Sequence, residues 1–176
     1  MKQLILEIQE SLKEFADKAR IEYANRSYPT EMHVIGVTVP KLKIVLKELK
    51  KQTRSFPGQQ KLDLIKSLLN ENVFELQQLA FEYLQSDIEV LKLLTETDID
   101  DLEKNLDNWL SVDYFGTIIV GYAWRENQIS TERVKKYLKA DDLWLRRVAV
   151  VATVSLNQKA RGGRGDSKRT LEICRL

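Results

Sequence analysis

Apolar residues recur at helical spacing along nearly the whole chain. In residues 2–25 they stand three or four positions apart, at Leu4, Ile8, Leu12, Phe15, Ala19 and Tyr23. This spacing predicts one amphipathic helix over the segment. The same period predicts further helices over residues 40–49, 62–69, 72–85, 111–124, 131–138, 142–156 and 167–176. No stretch alternates as a strand does, so the pattern predicts an all-α protein.

Two of the predicted helices differ in how much of their surface is apolar. Residues 72–85 are the most strongly amphipathic stretch of the first half, which predicts one buried and one solvated face. Residues 111–124 are apolar most of the way round, which predicts a helix buried between neighbours. Residues 29–39 are predicted as a loop with a turn at Gly36, and Pro40 suits the first turn of the next helix. The later helices are predicted to be capped by Asp87, Asp98, Ser130 and either Asp141 or Asp142.

Two hexapeptides indicate an internal repeat. Residues 76–81 (Leu-Gln-Gln-Leu-Ala-Phe) resemble residues 145–150 (Leu-Arg-Arg-Val-Ala-Val), 69 positions later. That offset is two periods of about 35, which predicts stacked helix pairs in a HEAT-like superhelix, an α-α solenoid, with residues 1–176 as a single domain. Residues 171–176 stop in mid-pattern without a polar finish. This predicts either a natural protein longer than the chain, truncated here at its C-terminus, or a short helix that docks by its apolar side.

Composition narrows the class of protein. Hydrophobic residues make up 43% and charged residues 31%, which excludes a disordered chain. The single cysteine, Cys174, excludes an internal disulfide and is predicted to lie in the core. The N-terminus does not resemble a signal peptide, and no stretch approaches the ~18 apolar residues of a membrane span. We therefore expect a soluble, cytoplasmic, monomeric protein with no membrane partner.

Charge is distributed unevenly, although the net charge is only +2. Residues 87–108 hold eight acidic residues and two lysines, whereas residues 146–169 hold seven basic residues and one acid, Asp166. A basic end can contact the phosphates of a nucleic acid while the total charge stays near neutral. The alternative is a solvated surface of uneven charge.

Several kinds of site lack the residues they need. His33 is the only histidine and is expected at the surface, so a zinc site has too few ligands. No glycine-rich phosphate-binding motif follows a strand. Residues 162–165 (Gly-Gly-Arg-Gly) are predicted to belong to a mobile basic loop over residues 159–166 rather than to a nucleotide cradle. We expect neither a metal nor a cofactor.

Two clusters carry candidate chemistry. Trp109 and Asp113 stand four residues apart at the start of the apolar helix, so they share one helix face. Asp113 is either a first-turn acid favoured by the helix dipole or a carboxylate exposed beside an aromatic side chain. Arg146 and Arg147 follow Trp144, and each either pairs with a nearby aspartate, Asp113 among them, or clamps a phosphate. Asp113 and Arg147 are 34 residues apart, so repeats stacked in register would put both on one concave face.

At these residues the chain resembles the bacterial DNA alkylation-repair glycosylases of the AlkD type. Their Trp-Asp-x-Val-Asp motif is matched by residues 109–113 (Trp-Leu-Ser-Val-Asp), and their later Trp-x-x-Arg by residues 144–147 (Trp-Leu-Arg-Arg). Residues 31–42 resemble a third family segment, Gly-Ile-x-x-Pro-x-x-Arg, with Lys41 or Lys43 near the place of its arginine. The chain departs from the family pattern at Leu110, where the family has an acid. A further site-lining tryptophan of the family belongs to a later repeat, beyond Leu176.

The resemblance implies an enzyme that excises alkylated, cationic purines such as 3-methyladenine or 7-methylguanine from duplex DNA without a metal. It implies that Asp113 is the catalytic carboxylate, that Trp109 lines the lesion site and that Arg147 contacts the DNA backbone. Arg146, and Arg161 and Arg164 in the loop 159–166, are further predicted DNA contacts. That loop could instead be a linker to further repeats.

The alternative function is a non-catalytic HEAT-like module that binds nucleic acid or protein. The two functions predict different surroundings for Asp113. An exposed acidic pocket, flanked by Trp109 and Arg147 on a basic face, would favour the glycosylase. A buried or ion-paired Asp113 would favour the binding module.

Overall fold

The computed structural model describes residues 1–175, which form an all-α protein. These residues contain no β-sheet, only an isolated bridge between His33 and Val73. The early helices are α1 (Lys2–Lys13), α2 (Lys18–Ser27), α3 (Val39–Gln52), α4 (Gly58–Leu69), α5 (Phe74–Gln85) and α6 (Ile88–Leu91). The later ones are α7 (Glu96–Leu102), α8 (Trp109–Tyr114), a π-helical segment (Phe115–Val120), α9 (Gly121–Arg125), α10 (Thr131–Leu138), α11 (Leu143–Asn157) and α12 (Ser167–Cys174).

The helices group into two compact units, one ending at Val90 and the other beginning at Leu91. In the first unit, α5 packs against α3 and α4, and α3 packs against α1. In the second, α11 is central and contacts α8, the π-helical segment, α9, α10 and α12. The two similar hexapeptides therefore lie in the helices α5 and α11, which pack against several neighbours in their own units. The HEAT-like superhelix itself stays a prediction.

The prediction of one continuous helix over residues 2–25 is wrong. The helix α1 ends at Lys13, and Asp17 is extended, with φ −136° and ψ 121°. The Asp17 carboxylate accepts a hydrogen bond from the Ala19 N–H at 2.8 Å and caps α2. An aspartate side chain can accept a hydrogen bond from a backbone N–H two or three residues later. Asp17 therefore favours the start of a new helix over the continuation of α1. Apolar periodicity alone does not reveal so short a break.

Caps are confirmed for Ser130 and Asp142, whose side chains accept backbone N–H groups at the starts of α10 and α11. The predicted cap at Asp98 is wrong, because Thr95 caps α7. Asp98 is the third helical residue and returns the bond, since its carboxylate accepts the Thr95 N–H at 2.8 Å. This reciprocal capping box provides acceptors for the N–H groups of Thr95 and Asp98, which have no partner within the helix.

The prediction that α5 has one buried and one solvated face is wrong, because nearly all of its side chains are buried. Its polar residues Glu75 and Gln77 are only 2% exposed. The Glu75 carboxylate accepts the N–H groups of Ile35, Gly36 and Val37 at 2.9, 2.8 and 3.2 Å. Gly36 has φ +90°, which suits glycine, but residues 34–38 form neither a turn nor a bend, so the turn predicted there is not found. A buried carboxylate therefore holds the predicted loop 29–39 in place.

The prediction that residues 111–124 are buried is confirmed, but the helix contains an unpredicted π-helical segment. Glycines allow it to approach α11 closely: a Cβ built at Gly121 would lie 2.7 Å from the Ala152 carbonyl oxygen. The Ser155 hydroxyl donates to the Thr117 carbonyl across the same contact. π-Segments inside helices are frequent at functional sites, and this one begins two residues after Asp113.

The C-terminal helix begins at Ser167, as predicted, with Asp166 as its cap. Cys174 is exposed, so its predicted core position is wrong, whereas the surface position predicted for His33 is confirmed. Leu176 lies outside the described residues. In residues 1–175, no helix combines the length and apolar character needed to cross a membrane.

Candidate functional site

Asp113 and Arg147 meet in the structure, although they are 34 positions apart in the sequence. Asp113 belongs to α8 and Arg147 to the first turns of α11, and these two helices pack against each other. The Arg147 Nε donates to Asp113 Oδ1 at 2.7 Å, and Nη2 donates to Oδ2 at 2.9 Å. This two-pronged geometry is the strongest form of arginine–carboxylate pair.

The pair lies at the surface rather than in the core. The Arg147 side chain is 42% exposed and the Asp113 side chain 32%. The hydrogen bond with Asp113 is the main reason that the pKa of the Arg147 guanidinium lies above its ordinary value. Asp113 is therefore ion-paired in the free protein, which is the arrangement expected of the binding module. It is also open to solvent, as a carboxylate that meets a substrate must be.

A groove of about 390 Å³ lies between α8 and α11, and Asp113 is one of its lining residues. Leu110, Val151 and Val154 are apolar residues among its lining. Asp113 and Arg161 supply one negative and one positive group. The groove thus offers apolar surface for a flat ring, together with charges of both signs.

Trp109 occupies the first position of α8, one turn before Asp113, and is 40% exposed. Its position is fixed by Asn108, a buried cap whose side-chain oxygen accepts the Ser111 N–H at 3.0 Å. Because residues four apart lie on one helix face, Trp109 and Asp113 point to the same side of α8. The cap therefore determines how an exposed aromatic side chain and a carboxylate are presented together.

The two adjacent arginines have different surroundings. Arg146 Nη1 donates to the Ala140 carbonyl at 2.8 Å and to the Asp141 carbonyl at 2.7 Å. These bonds tie α11 to the connection that follows α10, so they account for Arg146 without a ligand. Arg147 instead binds the carboxylate of Asp113, which lines the groove, although Arg147 is not itself one of the lining residues.

The predicted basic loop contains a 3₁₀ turn, Lys159–Arg161, that is hydrogen-bonded to the rest of the second unit. Arg161 Nη1 donates to Thr117 Oγ1 at 3.1 Å at the end of the groove, and its carbonyl accepts from Arg125. Arg164 is exposed and lines a different cavity. The structure therefore brings Arg161, but not Arg164, to the groove with Asp113.

Thr117 and Arg125 were not predicted as part of the site. Thr117 accepts from Arg161 and donates to the Asp113 carbonyl at 2.6 Å, which links the turn to α8. One helical turn separates Thr117 from Asp113, so that spacing was the available signal. Arg125 had none, because its contact with the turn depends on tertiary packing. Among residues 1–175, no group of three or more potential ligands could hold a metal ion.

A family comparison covers nearly the whole chain. Residues 8–176 match the family described as DNA alkylation repair enzyme. No curated protein shows significant similarity to the chain. The family match includes both helices that form the groove, with Trp109, Asp113 and Arg147. The chain therefore belongs to the DNA alkylation repair enzyme family.

Proposed function

We propose that this protein is a DNA glycosylase that releases alkylated, cationic purines such as 3-methyladenine or 7-methylguanine from duplex DNA. Family membership supports a role in DNA repair. The observation that carries the finer proposal is the Asp113 carboxylate, which is solvent-accessible and borders a groove that also has apolar lining residues. Asp113 is the proposed catalytic residue, Trp109 the lesion-contacting residue and Arg147 the main backbone contact.

The reaction needs a negative charge near the sugar. An alkylated purine is positively charged, so when its bond to C1′ breaks, the electron pair moves to the base and neutralises it. The sugar is left as an oxocarbenium ion, which a carboxylate stabilises through space. Water then adds to C1′, and its proton passes to the carboxylate or to solvent. Asp113 can fill both roles without a covalent intermediate.

The ion pair affects how much of this negative charge is available. While Arg147 holds both carboxylate oxygens, much of the Asp113 charge is offset. A DNA phosphate offers the guanidinium the same two-pronged partner as the carboxylate does, so it can compete with Asp113 for Arg147. When Arg147 turns to the phosphate, Asp113 is left uncompensated beside the sugar. DNA binding would thus activate the carboxylate.

Trp109 suits a cationic base. A positively charged ring near an indole face gains ~0.5–2 kcal/mol from cation–π attraction, which a neutral base does not. This term falls as the base becomes neutral on leaving, so it contributes to lesion recognition rather than to bond cleavage.

The second candidate is a module that binds DNA without cleaving a bond. The observation that favours it is the same ion pair, because Arg147 satisfies Asp113 without any substrate. On this account Asp113 positions Arg147 for a phosphate and does no chemistry. Family membership alone does not separate the two candidates.

Release of free base separates them. The wild-type protein is incubated with duplexes that carry either cationic 7-methylguanine or neutral 8-oxoguanine, and free base is measured by chromatography against a protein-free control. The glycosylase predicts release of 7-methylguanine above the spontaneous rate and no release of 8-oxoguanine. Binding of both duplexes without release of either base would establish the binding module instead.

A further inference from the structure

The second unit contains another cavity, whose lining has a different balance of charges from that of the groove. Its volume is about 510 Å³, well within the range of ligand pockets. Four basic side chains and two carboxylates line it: Arg125, Arg164, Lys168 and Arg169, with Glu126 and Asp166. Whether the cavity attracts an anion depends on which of the cations are already neutralised.

Two of the cations are accounted for. Arg125 Nε donates to Glu126 at 2.7 Å, and Nη1 donates to a backbone carbonyl of the 3₁₀ turn. Arg169 Nε donates to Asp166 at 2.6 Å, and its guanidinium also lies 5.2 Å from the Trp124 ring centroid. Both carboxylates of the cavity are therefore engaged by the inner pair of arginines.

The other two cations have no such partner. Arg164 and Lys168 are exposed, and among residues 1–175 neither side chain makes a hydrogen bond or an ion pair. At longer range, Lys168 is the smallest of the causes that lower the pKa of Asp166, behind both hydrogen bonds from Arg169. The mouth of the cavity therefore carries two positive charges that no neighbouring carboxylate contacts.

The backbone between these charges leaves room for a ligand. Gly165 has φ +81°, and a Cβ built on it would meet nothing within 4 Å. Arginine presents a planar fork that fits phosphate oxygens, and lysine adds a compact charge, so the pair suits a phosphate group. Arg161 connects this cavity to the groove, because its side chain contacts Thr117 and its carbonyl contacts Arg125.

We infer that this cavity is a second phosphate-binding site, in which Arg164 and Lys168 bind a backbone phosphodiester of the duplex separately from Arg147. The inference rests on the proposed function only in taking duplex DNA as the ligand, and it involves no chemistry at the lesion. The DNA strand would then be held at two places, by Arg147 and by the Arg164–Lys168 site. The lesion is therefore positioned by more than the groove that Asp113 lines.

The test uses an undamaged duplex, so that base release plays no part. Affinity is measured over a salt series for wild type, for Arg164→Gln/Lys168→Gln, and for Lys136→Gln/Lys139→Gln. The control pair lies at exposed positions on or next to α10, makes no ion pair among residues 1–175, and removes the same charge. Each phosphate contact that is lost lowers the slope of log K against log salt by ~0.9. The first variant loses the one phosphate that Arg164 and Lys168 share, so its slope should fall by ~0.9, and that of the control by under about 0.5.

Equal slopes in the two double variants, or no duplex binding by the wild type, would overturn the inference. Inorganic phosphate, titrated at constant ionic strength, distinguishes the source of the phosphate. If Arg164→Gln/Lys168→Gln loses inorganic phosphate but keeps the wild-type duplex slope, the site takes a free anion and the assignment to DNA is wrong. A slope loss confined to this variant supports the site even if the protein releases no base, so the glycosylase and this site can fail separately.

Discussion

Replacing Glu75 with glutamine should destabilise the first unit by about 2–4 kcal/mol. The carboxylate is 2% exposed and accepts three backbone N–H groups from residues 35–37. A glutamine keeps one accepting oxygen but must turn its own NH₂ toward at least one of those donors. An unsatisfied buried donor costs ~1–3 kcal/mol, and the two remaining bonds each lose ~1 kcal/mol when they cease to be charge-assisted. Relief from burying a charge offsets part of this loss.

The assay is urea unfolding followed by far-UV circular dichroism, with Glu22→Gln as an exposed control on α2. Amide hydrogen exchange gives a local readout, because the N–H groups of Ile35, Gly36 and Val37 should exchange faster in Glu75→Gln than in the control. If Glu75→Gln unfolds within roughly 0.5 kcal/mol of wild type and those amides stay protected, the carboxylate does not hold the loop as described.

Three further predictions follow from close contacts in the second unit. Gly121→Ala places a Cβ 2.7 Å from a backbone oxygen of α11, so it should lower the free energy of unfolding in urea by ~1–3 kcal/mol. Gly116→Ala, whose nearest contact is 3.2 Å, should lower it by less, and equal losses would contradict the packing. Arg147→Ala should weaken duplex binding and lower its salt slope by ~0.9, and an unchanged slope would exclude a phosphate contact. The backbone N–H of Arg169 lowers the pKa of Asp166. The ionised Asp166 carboxylate should therefore stabilise the fold above the ordinary aspartate pKa, and this stabilisation should be lost as pH falls through the lowered pKa; an unshifted NMR titration of that carboxyl group would contradict this.

Much of the fold followed from local chemistry. Apolar spacing predicted most helices. Polar caps predicted the start of α10 at Ser130, and that of α11 at either Asp141 or Asp142, of which the structure has Asp142. Two of the errors concern which polar residue begins a helix. Asp17 interrupts a helical period that continues on both sides of it, and Thr95 rather than Asp98 caps α7. Such choices depend on one or two side-chain hydrogen bonds to the backbone, which hydrophobic periodicity does not record.

The candidate site was predicted less completely than the fold. Trp109, Asp113 and Arg147 were singled out from spacing and resemblance, and the structure joins the last two directly. Their ion pair was one of several open alternatives, because choosing among nearby aspartates requires the packing of α8 on α11. The buried role of Glu75 could not be predicted, since its three donors lie about 40 residues away in sequence.

The most direct test of the central claim is single-turnover release of 7-methylguanine by Asp113→Asn. The control is Asp101→Asn, because Asp101 is also an exposed, ion-paired aspartate of the second unit, with Lys104 at 3.6 Å. Loss of the stabilising carboxylate should slow release by at least ~10²-fold while duplex affinity is retained, and the control should release base at the wild-type rate. Release by Asp113→Asn at the wild-type rate, or equal losses of release and affinity, would show that Asp113 is structural rather than catalytic.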